Sequence, residues 1–118
     1  MERIKLEQQG KELAQKQLDA YNQKDLETFL SVYSESVEIR DFPSNELLYV
    51  GVEKMRIIYS KLFHENPNQH ATLLERITNG NIVIDHEHVT GRANGLEVFA
   101  IAIYEVVNGK ISKVWFKK

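Results

Sequence analysis

Three Asn-Gly pairs divide the C-terminal half of the chain: Asn79-Gly80, Asn94-Gly95 and Asn108-Gly109. Each lies between β-rich runs. Asn-Gly is a strong hairpin signal because a type I′ turn needs positive φ at both central residues. The runs at about 70–78, 81–93, 96–107 and 110–117 therefore predict a four-stranded antiparallel meander. Two-residue loops would place Thr78 opposite Asn81, Ala93 opposite Leu96, and Val107 opposite Lys110. Counting outward, Leu73, His86, Ile103 and Val114 form one row, and Glu75, Ile84, Glu105 and Ser112 the next. That face also holds Ile77, Ile82, Phe99, Ile101 and Phe116. It is the more apolar one and is expected to meet the helices. The opposite face carries Leu74, Asp85, Tyr104 and Lys113, then Thr72, Glu87, Ala102 and Trp115. A bulge would invert these faces locally.

The N-terminal half has a different period. From about 3 to 23, Leu6, Gly10, Leu13, Ala14, Gln17, Leu18 and Tyr21 recur at spacings of three and four, the stripe of an amphipathic helix. Gly10 lowers helix propensity, which suggests a close approach by another element. Asp25 is placed to cap a second helix with Leu26, Phe29, Leu30 and Tyr33 inward, ended by Ser34-Glu35-Ser36. A short strand follows, with Val37, Ile39 and Asp41 on one face. A third helix spans about 51–65, with Val52, Met55, Ile58, Tyr59 and Leu62 inward. Asn66-Pro67 stops it. Three helices followed by a meander is an α+β pattern.

The chain has 118 residues, which suits a single domain over 1–118. A net charge of -2 gives no electrostatic case for nucleic acid. No apolar run could serve as a signal peptide or membrane span. Cysteine is absent, which removes disulfides, thiolate catalysis and cysteine metal sites, and suits a cytoplasmic setting. There is no phosphate loop, nucleophile elbow or dinucleotide fingerprint, so no cofactor is expected.

Asp41 leads the candidate catalytic residues. It is a carboxylate sharing a strand face with Val37 and Ile39. Its simpler role is to close the strand by bonding loop amides before Pro43. His86, placed among apolar residues and near Glu75 and Glu105, could work as an acid/base group. It could equally be a core histidine satisfied by a glutamate. His88 shares its face. A metal held by His86, His88 and His70 would need all three to converge, and no metal is expected. Tyr21, Tyr33, Tyr59, Phe63, Phe99 and Phe116 suit a core or a pocket wall. Trp115, beside Ala100 and Ala102, suggests a dimer contact.

Leu-Asp-Ala-Tyr-Asn-Gln-Lys-Asp-Leu-Glu-Thr-Phe (18–29) resembles the first helix-turn-helix of the NTF2-like superfamily. Tyr33, the strand ending at Asp41, and Gly51 before the third helix fit it. Val83-Ile84-Asp85-His86-Glu87-His88-Val89-Thr90-Gly91 is similar to a strand of its SnoaL-like members. Residues 102–111 and Val114-Trp115-Phe116 extend the likeness to nearly the whole chain. The resemblance implies a cystatin-like cone, a curved antiparallel sheet wrapped around a long helix with a pocket inside. It also implies a homodimer through the outer sheet face, with Trp115, Tyr104 and Ala102 in the contact.

Relatives include ketosteroid isomerases, polyketide cyclases and dehydratases, alongside non-catalytic binding and assembly modules. Asp41-Phe42-Pro43 stands where the isomerases carry their basic aspartate. Their oxyanion donors, a tyrosine and a protonated aspartate, correspond to Gln17 and Ile103. One donor is weaker and the other is gone, which argues against a steroid isomerase of that mechanism. The expected function is binding a small apolar molecule. Catalysis, where present, would be cofactor-free proton transfer: isomerisation, cyclisation or dehydration. Asp41 and His86 are the expected catalytic pair. Gln17, Tyr21, Tyr33, Tyr59, Phe63, His88, Phe99, Ile103 and Phe116 are the expected ligand-binding set. The alternative is a non-catalytic module whose cone interior is plugged by Tyr33, Phe63 and Phe116.

Overall fold

The structure is a computed structural model and describes residues 2–118. Two helices precede two strands and a third helix follows them: α1 (Arg3–Gln23), α2 (Leu26–Ser31), β1 (Tyr33–Asp41), β2 (Leu47–Val50) and α3 (Val52–Glu65). Four strands follow: β3 (His70–Asn79), β4 (Ile82–Thr90), β5 (Val98–Val107) and β6 (Lys110–Lys117). All six strands form one sheet in the order β2-β1-β6-β5-β4-β3. The β1–β6 pair is parallel and the rest are antiparallel, so the sheet is mixed. No helix of the described residues is long and apolar enough to cross a membrane.

The helical stripe of α1 buries Gly10, Ala14, Gln17 and Leu18. Lys24 ends the helix in a left-handed conformation. Asp25 caps α2 as expected, accepting from Thr28 N at 3.3 Å. α2 is shorter than its pattern suggested. Tyr33 opens β1 instead of closing the helix, and Phe29 and Leu30 alone remain as the buried α2 pair. The Asn22 side chain ties the end of α1 to β3, donating to Ala71 O at 2.9 Å and accepting from Ala71 N at 2.8 Å. The strand β2 was not anticipated. It pairs with β1 through Ile39–Tyr49 and Glu38–Val50.

The meander is present, but its register and faces differ from the expectation. Asn79 pairs with Ile82, so the first loop lies one residue later than Asn79-Gly80. Asn94-Gly95 falls in a longer connection between Thr90 and Val98, and Ala93 does not pair with Leu96. Only Val107–Lys110 pairs as expected. The β3–β4 register shifts between Leu73 and Glu75, and the β5–β6 register shifts between Glu105 and Val106. An unpaired residue reverses side-chain direction beyond it.

The inner faces of β4 and β5 are therefore the opposite of those expected. Val83, Asp85 and Val89 on β4, and Ala100, Ala102, Tyr104 and Val106 on β5, are buried. Ile84, His86 and His88 pair with Ile103, Ile101 and Phe99 on the other face. Phe99 and Ile101 are exposed. Tyr104 and Ala102 are thus interior residues and cannot form an outer dimer contact. Trp115 does lie on the outer side, pairing with Ile103 and Arg40. Apolar count alone misled because the inner face needs small residues more than large ones. A Cβ on Gly10 would lie 2.7 Å from Val83 Cγ2, so α1 sits almost directly on β4.

That contact predicts a reversal of helix propensity. Gly10→Ala should destabilise the fold by about 1–3 kcal/mol through overpacking, although alanine is the better helix former by about 1 kcal/mol. In a Val83→Ala background the same change should become neutral or stabilising. Chemical denaturation of the four proteins of this cycle measures it. Additive effects would refute the close approach as the cause.

Candidate functional site

The site begins with two carboxylates on the inward face of β4. In the alternation Val83-Asp85-Glu87-Val89, every second residue points under the helices. Asp85 is fully buried, and Arg76 on β3 meets it with two hydrogen bonds, Nε–Oδ1 at 2.7 Å and Nη2–Oδ2 at 2.9 Å. Arg76 also reaches Gln15 Oε1 of α1 at 2.9 Å. Bidentate pairing of this kind satisfies both charges where water cannot.

Glu87 lies two residues further along, beyond direct reach of that guanidinium. Burial pushes its carboxyl up to about 7, the neighbouring Asp85 carboxylate adds to the rise, and Arg76 partly offsets it. The result is a carboxyl group poised between its two forms at neutral pH. It faces a cavity with Gln17, Tyr21, Tyr33, Tyr59, Tyr104 and Phe116 among its walls. The cavity itself measures about 70 Å³, and its open mouth extends the atom-free space to about 600 Å³.

The tyrosines give this apolar chamber its donors. The Tyr33 hydroxyl donates to Gln17 Oε1 at 3.3 Å, and Gln17 Nε2 donates to Ala14 O at 3.0 Å, which fixes the amide orientation. Burial raises the Tyr33, Tyr59 and Tyr104 phenols well above their usual range, and Tyr21 to about 12. All four stay protonated at neutral pH and can donate. Phe29 packs between them, its ring centroid 4.6 Å from that of Tyr59 and 5.3 Å from that of Tyr33.

The mouth is basic. Arg92 enters it from the β4–β5 connection, and its Nε donates to Gln69 Oε1 at 2.7 Å. The preceding Gly91 has φ +75°, and a Cβ there would fall 2.1 Å from Asn68 O. Only glycine permits that close crossing. Lys118 also lines the mouth, its Nζ 5.3 Å from the Phe116 ring centroid.

Of the expected ligand-binding residues, Gln17, Tyr21, Tyr33, Tyr59 and Phe116 line this cavity. Phe63 is buried behind it, 5.5 Å from Tyr21 by ring centroids. His88, Phe99 and Ile103 lie on the outer face. There the His88 and Phe99 rings stack at 4.3 Å, and His88 Nε2 sits 3.1 Å from Glu97. His86 is outside as well, between Glu75 and Ile101. Asp41 is not in the wall. Its Oδ2 accepts from Ser44 Oγ at 2.6 Å, and its backbone closes the turn to Asn45 and Glu46. That is the strand-closing role, imposed by the turn before β2. Among the described residues no three histidines or acids converge as a metal site.

Glu87, Tyr104, Arg92 and Lys118 are the site residues that sequence reasoning missed. The apolar ends of Val83-Asp85-Glu87-Val89 were the available signal for the first of them.

The raised pKa of Glu87 makes stability depend on pH. Its folded value, about 7, lies above the unfolded value near 4.5. Below about 4.5 both states hold the proton; as pH rises toward 7 only the folded state keeps it, so stability falls and the full penalty is reached above 7. At ~1.4 kcal/mol per unit the penalty is on the order of 3 kcal/mol. Glu87→Gln keeps the neutral form at every pH. Wild type should lose stability relative to this variant between pH 4.5 and 8, measured by paired thermal melts. Parallel curves would show that Glu87 titrates normally.

The SnoaL-like domain family matches residues 14–114. No curated protein matches the chain. Among solved structures, an uncharacterised cystatin-fold protein from Novosphingobium aromaticivorans superposes with a TM-score of 0.84 at 24% identity, covering 92% of this chain and 97% of that one. A candidate ketosteroid isomerase from Kribbella flavida gives 0.76 at 21% identity, with 92% and 76% covered. A candidate SnoaL-like polyketide cyclase from Jannaschia gives 0.79 at 14% identity, with 99% and 90% covered. At these identities the structural likeness speaks for the fold, an α+β cone of the NTF2-like, cystatin-like type. The family match extends over most of the chain, and the chain belongs to the SnoaL-like domain family.

Proposed function

We propose that this protein binds a small, largely apolar molecule bearing a carbonyl or hydroxyl group and transfers a proton on it without a cofactor. The observation that carries the reading is Glu87, a carboxyl group poised near neutrality inside a chamber of tyrosine hydroxyls. A general base or acid works best when its own pKa lies near the working pH. In its ionised form Glu87 would take a proton from carbon beside a carbonyl. The oxygen would gain charge as it did so, and a hydroxyl of Tyr59 or Tyr104 would donate to it. Return of the proton at a second carbon would give isomerisation; its delivery by Glu87 to a hydroxyl on the neighbouring carbon, which leaves as water, would give dehydration. Similarity to candidate isomerases and cyclases supports this class. The cysteine-free composition suits work in a reducing cytoplasm.

We propose further that the protein works as a homodimer through the outer sheet face. The patch is centred on Ile84, Ile101, Ile103 and Phe99, with Trp115 at its side, in place of Tyr104 and Ala102. Phe99 and Ile77 are 59% and 62% exposed, unusual for large apolar side chains grouped on one face. Glu75 lies on β3 and Lys113 and Lys117 on β6 of the same face. A two-fold axis along the strands would set these opposite charges over each other. Sedimentation equilibrium should report a dimer for wild type and a monomer of unchanged helicity for Ile103→Lys. A monomeric wild type would end this proposal.

Proton transfer can be tested before a natural substrate is known. In deuterated buffer, 2-tetralone exchanges its acidic C–H hydrogens, and proton NMR follows the loss of signal. The protein should accelerate this exchange, with Glu87→Gln lowering the acceleration by about 100-fold or more. Asp41→Asn and His86→Gln should leave it unchanged. Equal exchange by wild type and Glu87→Gln would remove Glu87 from the mechanism.

A further inference from the structure

The cavity has two unlike ends. Glu87 lines the chamber and not the adjoining groove, and its carboxyl is perturbed by burial first, then by Asp85 and Arg76. Arg92 and Lys118 line both the chamber and that groove, which they form with Ile39, Leu48, Tyr49 and Ile58. Arg92 and Lys118 are close enough that the guanidinium disfavours the lysine's charge, after burial, which is the larger cause. Two cations side by side at the rim of an apolar chamber repel each other.

Neither has a carboxylate partner. Among the described residues, ion pairs are made by Arg3, Arg40, Arg56, Arg76 and His88, and none involves Arg92 or Lys118. The acceptor that steadies Arg92 is the neutral amide of Gln69, a residue 1% exposed. The amide holds the guanidinium in place without neutralising it. Gln69 Nε2 itself has no hydrogen-bond partner. Keeping a buried amide partly unsatisfied costs stability. A fold that maintains this arrangement has positioned an arginine and left its charge free.

We infer that the ligand is a carboxylic acid whose carboxylate sits at the mouth between Arg92 and Lys118, its apolar body lying along Tyr21, Tyr59 and Phe116 and its reacting end reaching Glu87. This deepens the proton-transfer reading and rests on it. A planar guanidinium matches a carboxylate's two oxygens. A single negative charge also suits the rim better than a phosphate dianion, because Glu87 already places a second acid in the chamber. The substrate class is thus an aryl or alkyl acid with a carbonyl or hydroxyl group several bonds from its carboxylate. Separating the ends in this way orients the ligand: the carboxylate cannot enter the depth beside Asp85 and Glu87 without like-charge repulsion.

Matched acids and amides test the charge with the shape held constant. Titration calorimetry at low salt would compare 2-naphthoate with 2-naphthamide, and 4-phenylbutanoate with 4-phenylbutanamide. Each acid should bind about tenfold or more tightly than its amide, and added salt should shrink the difference. Arg92→Gln should bring the acids to the level of the amides, Arg92→Lys should keep part of the preference, and Lys118→Met should weaken it. Thermal melts of each variant establish that it is folded. Equal binding of acid and amide by wild type, or a preference untouched in folded Arg92→Gln, overturns the carboxylate inference and leaves the cavity reading standing. Binding of neither member of either pair overturns the cavity reading and this inference with it.

Discussion

The ion pair between Arg76 and Asp85 decides how β4 is seated. A carboxylate with no solvent exposure has to be neutralised and hydrogen-bonded, and the guanidinium on the neighbouring strand does both. With Asp85 inward, the alternation of the strand turns Glu87 inward as well and turns Ile84, His86 and His88 out. The candidate catalytic carboxyl and the apolar outer face are therefore two consequences of one side-chain orientation. Removing one partner of a buried pair commonly costs about 3–5 kcal/mol, since the other is left charged and unsolvated. Gln15 on α1 joins the same network through Arg76, so the long helix and the sheet are tied at this point too.

Burial acts on the acid and on the phenols in the same direction, with useful results in each case. It destabilises the charged form of both. For Glu87 the rise ends near neutrality, where either proton state is accessible. For Tyr33, Tyr59 and Tyr104 it ends far above, which keeps the hydroxyls as donors. The isomerase pattern of an aspartate base beside a tyrosine and a protonated acid is absent residue by residue. Its chemical elements, an adjustable carboxyl and neutral donors lining one cavity, recur here on other positions.

Steric demand explains why the less apolar face of the meander is the inner one. Gly10 brings α1 down onto Val83, and Ala100 and Ala102 leave space beside Tyr104. Isoleucines in their place would lift the helix or fill the chamber. The outer face instead carries Ile84, Phe99, Ile101 and Ile103. The inner face of β4 and β5 combines two small residues, Ala100 and Ala102, with the acids Asp85 and Glu87.

Much of the architecture was legible in the chain itself. The spacing of Gly10, Ala14, Gln17, Leu18 and Tyr21 marked α1, Asp25 marked the start of α2, and the Asn-Gly pairs marked the meander. These signals are local: a helical stripe, a cap and a turn each depend on a few neighbouring residues. The sequence also pointed to five of the cavity-lining residues, two of them, Tyr21 and Tyr59, because aromatic side chains on a helix stripe have few places to go. Tertiary structure alone decided which sheet face was inner. One unpaired residue near Leu74 and another near Ser112 invert the alternation, and a pattern of period two carries no mark of such a slip. That choice moved His86 outside and Glu87 inside, while the turn before β2 took Asp41 out of the pocket. The raised pKa of Glu87 likewise came from burial and from the nearby Asp85 carboxylate, an arrangement that no local pattern encodes.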